Sequence, residues 1–253
     1  MRPAVAPLLS CPVCASACLP AYEHPEAQIY RCQSCSHCFS NPATLVPENY
    51  EPAYYEQVHK NWFAHPNFSL FERIRKLIAS RGTTCRVLDV GCGRGDLLKY
   101  LQARNPQLEL TGIELSDLQS AAGIRFIKSD IFEFEVTKRF DFVIALAVIE
   151  HVADIQQFVL RLSSLARPGG TVLVMTLNEG SLLYRVARSL RCLGWKAAFE
   201  RLYSSHHLHH FTVRSLFSLM QKSGLRVQKQ FTHNFPLAAV DFSGSDSLVG
   251  RIQ

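Results

Sequence analysis

The chain has 253 residues, a hydrophobic fraction of 47% and a formal net charge of +6. This length fits one α/β domain plus a small module, with enough apolar residues for a sizeable core. The sequence contains no run of about 18 apolar residues that would indicate a transmembrane helix, and its short, proline-broken N-terminus does not fit a signal peptide. The diffuse positive charge mildly favours an anionic partner but does not by itself indicate nucleic acid.

Two Cys-x2-Cys pairs stand near the N-terminus and have the spacing of a zinc ribbon. Each pair can wrap two thiolates onto one ion from a tight turn, and two pairs complete a tetrahedral site. The pattern predicts structural Zn²⁺ in a ribbon-like module over residues 1–45, which has too few apolar residues to fold unaided. The neighbouring His37 and Cys38 leave an exchange of one ligand open. The predicted metal ligands are Cys11, Cys14, Cys32 and Cys35.

The remaining features of this module concern its partners and its compartment. The stretch between the two pairs is acidic rather than basic, which argues against DNA binding. The nine cysteines are better explained as reduced thiols or metal ligands in a cytoplasmic protein than as disulfides.

Residues 46–82 form a connector that begins rich in proline and aromatic residues. From Asn67, a candidate N-cap, apolar residues recur at helical spacing and predict an amphipathic helix ending near Gly82. Tyr54 and Tyr55 are candidates to border a ligand pocket, although aromatic residues here would equally suit a core or a lid.

From residue 83 to 253 the pattern alternates between strands and helices and predicts an α/β domain. Its fold class is a doubly wound, Rossmann-like, mostly parallel sheet. The predicted strands are Arg86–Val90, Glu109–Glu114, Arg125–Lys128, Phe140–Ala145, Thr171–Thr176 and Leu225–Phe231. The predicted helices are Asp96–Arg104, Leu118–Ala122, Ile155–Ala166 and Val213–Ser223. A turn is predicted at Pro168-Gly169-Gly170, between a helix and a strand.

A glycine-rich loop follows the first of these strands, where ligands of such sheets bind. Glycines at 91, 93 and 95 let a ligand approach the backbone closely. The third glycine comes one place earlier than in a dinucleotide fingerprint. Asp89, just before the loop, would repel a phosphate but could help to hold an ammonium group.

Further polar residues follow the next three strands. Glu114 can accept hydrogen bonds from ribose hydroxyls, or be a solvated strand-end acid. Asp130 can accept from an adenine amino group while Ile131 packs on the ring, or it can cap a helix. After the fourth strand, Glu150 and His151 stand together, and His151 either faces the ligand or is a polar residue of a helical turn.

These motifs, in this order, resemble class I S-adenosylmethionine-dependent methyltransferases. The resemblance covers about residues 83–176 and includes Val87–Gly95, Gly112–Ser116, Phe140–Val143, Glu150–Val152 and Arg167–Thr171. It implies a seven-stranded sheet with a reversed last strand, and S-adenosylmethionine as cofactor. The residues it places around the cofactor are Asp89, Gly91, Cys92, Gly93, Gly95, Glu114, Leu115, Asp130, Ile131 and Ala147.

The segment of about residues 178–212 should select the methyl acceptor. Apolar residues fall on one face of a predicted helix, and Arg185, Arg188 and Arg191 fall on another. This indicates a cap helix with a solvated basic face, a helix lying on an anionic lipid surface, or the lining of a pocket for an acidic acceptor. The histidine-rich stretch that follows resembles the acceptor side of zinc-ribbon sugar C-methyltransferases, except that His206 replaces a glutamate. The candidate catalytic bases are His151, His206, His207 and His210.

The sequence therefore predicts methyl transfer from S-adenosylmethionine to a small-molecule acceptor by O- or C-methylation. A sugar, a quinone-like ring or a lipid precursor would fit. Two alternatives are an RNA or protein methyltransferase that docks through the ribbon, and a non-catalytic methyltransferase-like binding protein. Peripheral membrane contact is compatible with the basic helix, and nucleic acid is disfavoured as a partner.

Overall fold

The structure is a computed structural model that describes residues 9–40, 65–117, 120–204 and 206–233. Ten strands are assigned within these ranges. They are β1 (Leu9–Ser10), β2 (Ala17–Glu23), β3 (Gln28–Cys32), β4 (Cys38–Ser40), β5 (Arg86–Val90), β6 (Glu109–Glu114), β7 (Ile124–Lys128), β8 (Phe140–Leu146), β9 (Ala166–Met175) and β10 (His209–His210).

Six α-helices and one short 3-10 turn, Ile149–His151, lie among the strands of the described residues. The helices are α1 (Phe68–Ala79), α2 (Asp96–Arg104), α3 (Ile155–Leu165), α4 (Leu182–Cys192), α5 (Ala197–Leu202) and α6 (Val213–Lys222). No helix in the described ranges is both long enough and apolar enough to cross a lipid bilayer.

The chain divides into two compact units. The ribbon unit comprises Met1–Glu48 and Ile131–Lys229, and the glycine-loop unit comprises Asn49–Asp130 and Gln230–Gln253. The N-terminal cysteine module thus belongs to the same unit as the acceptor-side segment predicted from the sequence.

In the glycine-loop unit, three parallel strands lie in the order β7-β6-β5. Helix α1 begins at Asn67, whose side-chain oxygen accepts from the backbone N–H of Leu70 at 3.0 Å, as the sequence predicted. Helix α2 follows the glycine loop and buries Leu98 and Leu101 completely. The connections return each strand in the same direction, so the ends of β5 and β6 lie side by side.

In the ribbon unit, β8 and β9 pair in parallel. The strand β9 is assigned from Ala166 rather than from the predicted Thr171, so it includes the expected turn at Pro168-Gly169-Gly170. Phe140 lies opposite Ala166 and Phe142 opposite Thr171, so the residues between form a bulge. A bulge tolerates proline and a left-handed glycine without ending the strand.

The cysteine module forms an antiparallel sheet with strand order β1-β2-β3-β4-β10. Four of these strands are contiguous in sequence, but β10 comes from the histidine-rich stretch. Tyr184, Phe199 and Tyr203 of the acceptor-side segment form a buried cluster with Ile29 and Cys38 of this sheet. The module is therefore built into the unit through shared strands and a shared core.

Helix α4 forms where predicted, but it buries a different face. The buried residues are Tyr184 and Ala187. Arg188 bonds Glu179, so the expectation that all three arginines share a solvated face is wrong. Packing of Tyr184 against the ribbon aromatic residues outweighs burial of the leucine row. The apolar residues left exposed here are Leu182, Leu183, Val186, Leu193 and Trp195.

Two other expectations differ from the structure. Leu225–Phe231 is not assigned as a strand, and residues 234–253, where the resemblance would place the reversed last strand, lie outside the described residues. Residues 120–123 form a bridge and turn rather than the end of a helix, and Leu118 lies outside the described ranges. Tyr54 and Tyr55 also lie outside them.

Candidate functional site

The glycine loop follows β5 with three left-handed residues. Gly91, Gly93 and Gly95 have φ values of 64°, 53° and 71°. At Gly95 an added Cβ would lie 2.5 Å from Cζ of Phe126. This position requires glycine both for its backbone conformation and because the neighbouring ring occupies the space of a side chain.

Glu114, at the end of β6, holds the loop in place. Its Oε2 accepts from the backbone N–H of Gly93 at 2.9 Å, and its Oε1 accepts from that of Leu115 at 2.8 Å. The residue is only 6% exposed. A carboxylate has about four acceptor positions, so these two bonds orient Glu114 and leave capacity to accept from a ligand hydroxyl.

Asp89 and Cys92 flank the start of the loop. Asp89 is fully buried, and burial together with the nearby charge of Glu114 raises its pKa to about 8. Burial also raises the pKa of the Cys92 thiol well above its ordinary value. A buried acid that is costly to ionise suits a site that receives a cationic group.

The other expected cofactor residues lie at the ends of later strands. Asp130 is half-buried in the glycine-loop unit, and its carbonyl accepts from the Ser129 hydroxyl at 2.9 Å. Ile131 and Ala147 belong to the ribbon unit, where Ile131 is buried. Ala147, just after β8, has a left-handed φ of 55°, a strained conformation of the kind that occurs at functional sites.

A cluster of three titratable side chains lies in the ribbon unit. One ligand atom each from Glu150, His151 and His207 lies within 4.8 Å of the others. Glu150 is buried, and burial raises its pKa to about 7 against an opposing effect of the Thr176 side chain. His151 Nδ1 lies 2.6 Å from the carbonyl of His206 and therefore carries a proton, which leaves the basic lone pair on Nε2.

The other two candidate bases differ from this cluster. His206 is half-buried, and burial lowers its pKa. His210 is completely buried beside Tyr203, at 4.6 Å between ring centroids, and burial lowers its pKa to about 3. A histidine with so low a pKa is a weak base near neutral pH.

The predicted metal ligands come together in the ribbon. The four sulfur atoms lie within 4.8 Å of one another, with Cys11–Cys35 at 3.6 Å and Cys14–Cys32 at 3.3 Å. A tetrahedral site with Zn–S bonds of about 2.3 Å has S–S separations of about 3.8 Å. The four thiolates therefore fit one bound metal ion, and neither His37 nor Cys38 belongs to this cysteine cluster.

Both turns of this cluster have the same local geometry. The residues after the second cysteine of each pair, Ala15 and Ser36, are left-handed with φ values of 61° and 62°. Backbone N–H groups of Val13 and Ser34 each donate to the first cysteine sulfur of their pair at 3.4 Å. Such N–H···S bonds stabilise a thiolate.

Three functional features were not found from the sequence. Glu179 accepts from Arg31 at 2.5 Å and from Arg188 and the Tyr203 hydroxyl at 2.6 Å each. His37 and His209 stack as a buried pair. The Arg31–Glu179 and His37–His209 contacts join residues 148 and 172 positions apart, and short-range spacing carries no signal of them. The third is Thr176, whose side chain opposes the effect of burial on the pKa of Glu150.

The family model described as a methyltransferase domain matches residues 56–230, well over half of the chain. The chain belongs to this methyltransferase-domain family. It is an S-adenosylmethionine-dependent methyltransferase with a Rossmann-like fold, so the predicted family and enzyme class are confirmed.

Two relatives carry the name ubiquinone biosynthesis O-methyltransferase. The protein of Rickettsia akari (strain Hartford) is 29% identical over 168 residues, covering 57% of this chain and 67% of its own length. That of Rickettsia canadensis (strain McKiel) is 26% identical over 173 residues, covering 64% and 71%.

A similar solved structure is the plantazolicin methyltransferase BpumL in complex with a triazolic desmethylPZN analog and SAH. Its TM-score is 0.52 at 18% identity, and the match covers 68% of this chain and 69% of BpumL. This similarity concerns the fold.

Proposed function

We propose that this enzyme methylates a small-molecule acceptor, with S-adenosylmethionine as the methyl donor. The observation that carries the proposal is the loop clamp, in which the N–H groups of Gly93 and Leu115 fix both oxygens of Glu114. A carboxylate oriented in this way suits the two hydroxyls of a ribose.

The loop residues have separate roles in this proposal. Gly91 and Gly93 let the methionine portion approach the backbone, and Asp89 receives its ammonium group. Asp130 receives the adenine amino group, with Leu115 and Cys92 completing the surroundings within the glycine-loop unit, and Ile131 and Ala147 keep the cofactor roles that the resemblance implies. When bound, S-adenosylmethionine supplies a methyl group that is already activated as a sulfonium, so alignment can provide much of the acceleration.

The Glu150–His151–His207 cluster is the proposed base. An acceptor hydroxyl would give its proton to Nε2 of His151, and the acceptor oxygen would take the methyl group that bound S-adenosylmethionine supplies, with S-adenosylhomocysteine as the other product. The hydrogen bond from Nδ1 of His151 to the carbonyl of His206 fixes the tautomer that this transfer requires. The transferred proton is then shared with His207 and with Glu150, and the pKa of Glu150 is raised to about 7. His206 and His210 instead keep the histidine-rich stretch in position.

The names of the relatives support a small aromatic or quinone-like acceptor and O-methylation over C-methylation. The contacts of the ribbon argue against a role in docking RNA or protein. Its strand β4 pairs with β10, and its aromatic residues pack in the core of its own unit. Its proposed metal is structural Zn²⁺, bound by Cys11, Cys14, Cys32 and Cys35. A cytoplasmic location remains part of the proposal.

The exposed apolar row of α4 supports a peripheral contact with a membrane that holds a lipid-like acceptor. Leu182, Leu193 and Trp195 are each more than 70% exposed, and Arg185 and Lys196 lie beside them. An apolar row flanked by basic side chains is the arrangement that binds an anionic lipid surface.

The proposal is tested in two steps with purified protein. Isothermal titration should show binding of S-adenosylhomocysteine, and tritiated-methyl transfer into native cell extract should label a small molecule. The labelling rate should rise with pH through about 7 and fall at least tenfold in His151→Ala. Label confined to RNA or protein would contradict the small-molecule assignment, and cofactor binding without labelling would favour a binding protein. Loss of rate on chelation that Mg²⁺ restores would assign Glu150, His151 and His207 to a cation instead.

A further inference from the structure

The cysteine ribbon and the histidine-rich stretch share one sheet. Strand β10 pairs antiparallel with β4, with His209 opposite Phe39 and His210 opposite Cys38. The backbone N–H of Ser40 extends this pairing by donating to the carbonyl of Leu208 at 2.9 Å. The backbone of the segment next to the proposed base is therefore held by the ribbon.

His37 connects the metal-binding turn to this pairing. It lies two residues after Cys35, and its carbonyl accepts from the backbone N–H of Cys32 at 2.9 Å. Its ring stacks on His209 with centroids 5.3 Å apart, and its Nε2 lies 3.1 Å from Nδ1 of His209. Both histidines are buried, so the bond is protected from competing water.

The direction of this bond follows from the other side of the His209 ring. The His209 ring interacts with the backbone of Val152 and Ala153. Because Nδ1 of His209 faces His37, Nε2 is the ring nitrogen that can donate to these carbonyls. Its Nδ1 is then an acceptor, and His37 donates from Nε2. Because the two accepting carbonyls directly follow His151, the His37–His209 pair holds the turn that carries the proposed base.

We infer that His37 and His209 are positioning residues, through which the metal-bound ribbon sets the orientation of His151 toward the acceptor. The connection runs from the thiolate turn through His37 and His209 to the carbonyls after His151, and returns through the His151–His206 bond. The inference rests on the proposed function of His151. It gives the ribbon a role in methyl transfer within a single unit, distinct from binding of the methyl donor.

Two substitutions at His37 separate positioning from folding. His37→Phe keeps a ring in the stack but removes the donor, whereas His37→Gln places an amide N–H donor near the former Nε2. Both keep all four thiols. Cys18→Ser is the matched control, because Cys18 is a buried ribbon cysteine outside the thiol cluster. Cys35→Ser removes a proposed metal ligand.

Four measurements are made on each full-length protein. Elemental analysis gives zinc per chain, and isothermal titration gives the affinity for S-adenosylhomocysteine. Tritiated-methyl transfer into the native small-molecule extract gives the rate and its pH profile. Nitrogen-15 NMR of labelled histidine reports the tautomer of His151 independently of activity.

His37→Phe should keep one zinc per chain and bind S-adenosylhomocysteine within about twofold of wild type. Its methyl-transfer rate should fall about 10- to 100-fold, the usual effect of a misplaced catalytic group, with a changed pH profile and a mixed His151 tautomer. His37→Gln should recover most of the rate, and Cys18→Ser should match wild type. Cys35→Ser should lose zinc and the single tautomer while retaining cofactor binding.

A His37→Phe protein with wild-type pH profile and a wild-type His151 signal would overturn the inference, as would Cys35→Ser protein that lacks zinc yet keeps that signal. If Cys35→Ser fails to fold, the two His37 variants still test the positioning role. Failure of the proposed function gives a different result, because wild-type protein would then neither bind S-adenosylhomocysteine nor label a small molecule. The NMR signal of His151 would still test the positioning role.

Discussion

The glycine loop and the antiparallel sheet that the cysteine module shares with β10 hold their functional groups in different ways. The contacts in the loop are between residues close in sequence, and those in the sheet are between residues far apart in sequence. In the loop, Glu114 bonds Gly93 and its own neighbour Leu115, so the clamp closes within about 20 residues. In the ribbon unit, His37 bonds His209 and Arg31 bonds Glu179, across 172 and 148 positions. The first arrangement depends on one strand–loop–helix segment, and the second on the folding of a whole unit.

This difference indicates how each site should respond to change. A local clamp can lose ligand affinity while the fold survives, because few other contacts depend on it. A long-range contact couples the position of a functional group to the stability of the unit. Substitutions in the glycine loop should therefore mainly change ligand affinity, and substitutions at the long-range contacts of the ribbon unit should mainly change its stability.

The largest effect is expected at Glu179, which joins the two halves of the ribbon unit. Glu179→Ala would leave the partly buried guanidinium groups of Arg31 and Arg188 without their shared carboxylate. Breaking such a network costs about 3 kcal/mol or more, and chemical denaturation should show this loss in unfolding free energy. Glu133→Ala, at an exposed position of the same unit, should change it by less than about 0.5 kcal/mol. If the two variants had the same unfolding free energy, the ion network at Glu179 would not stabilise the ribbon unit.

Next in size is the effect of Glu114 on cofactor binding. Glu114→Ala removes the carboxylate proposed for the ribose, and hydrogen bonds to a charged group contribute about 1.5–3 kcal/mol each. Affinity for S-adenosylhomocysteine should fall about 100-fold in isothermal titration. Glu109→Ala on the same strand is the control, because its carboxylate is mostly exposed and pairs with Arg86. An unchanged affinity in Glu114→Ala would contradict the ribose assignment.

An effect of opposite sign is expected at Asp89. Its pKa of about 8 in the folded protein lies above the ordinary value of 3.8, so folding takes up a proton between these values and stability falls as pH rises from about 4 to 8. Asp89→Asn removes this dependence and should raise the unfolding free energy at pH 7 by up to about 4 kcal/mol, at about 1.4 kcal/mol for each pH unit above 4. Denaturation at several pH values tests this, with the exposed Asp117→Asn as control.

The same substitution has a consequence for binding. An ammonium group favours the ionised carboxyl, so wild-type protein at pH 7 should release a proton on binding S-adenosylmethionine. Titration in buffers of different ionisation enthalpy measures that release, which should disappear in Asp89→Asn. If wild type releases no proton, Asp89 does not receive the ammonium group.

The smallest effect is expected on the exposed row of α4. Replacing Leu193 and Trp195 by Gln should reduce co-sedimentation with anionic vesicles several-fold while changing stability by less than about 0.5 kcal/mol. Leu160→Gln is a matched control, because Leu160 is exposed on α3 of the same unit. If vesicle binding did not change, the proposed contact of this row with a membrane would be contradicted.

Much of the parallel-strand framework and the position of the glycine loop could be predicted from sequence because their signals are local. Alternating apolar segments placed β5, β6 and α2 at their observed bounds, and the Cys-x2-Cys spacing selected the four thiols. The bulge at Pro168 was missed because a register shift depends on the partner strand. The exposed face of α4 was missed because burial of Tyr184 depends on ribbon aromatic residues far away in sequence.

The pairing of β4 with β10 also bears on how the protein is made. During synthesis, the first four strands of the sheet emerge long before residue 209, and β4 lacks its neighbour during that interval. An unpaired edge strand readily joins other chains. Early capture of a metal ion by the thiol turns would order the ribbon without completing that edge. Chains whose synthesis stalls before residue 209 should then aggregate even when metal is supplied and the mature protein is stable.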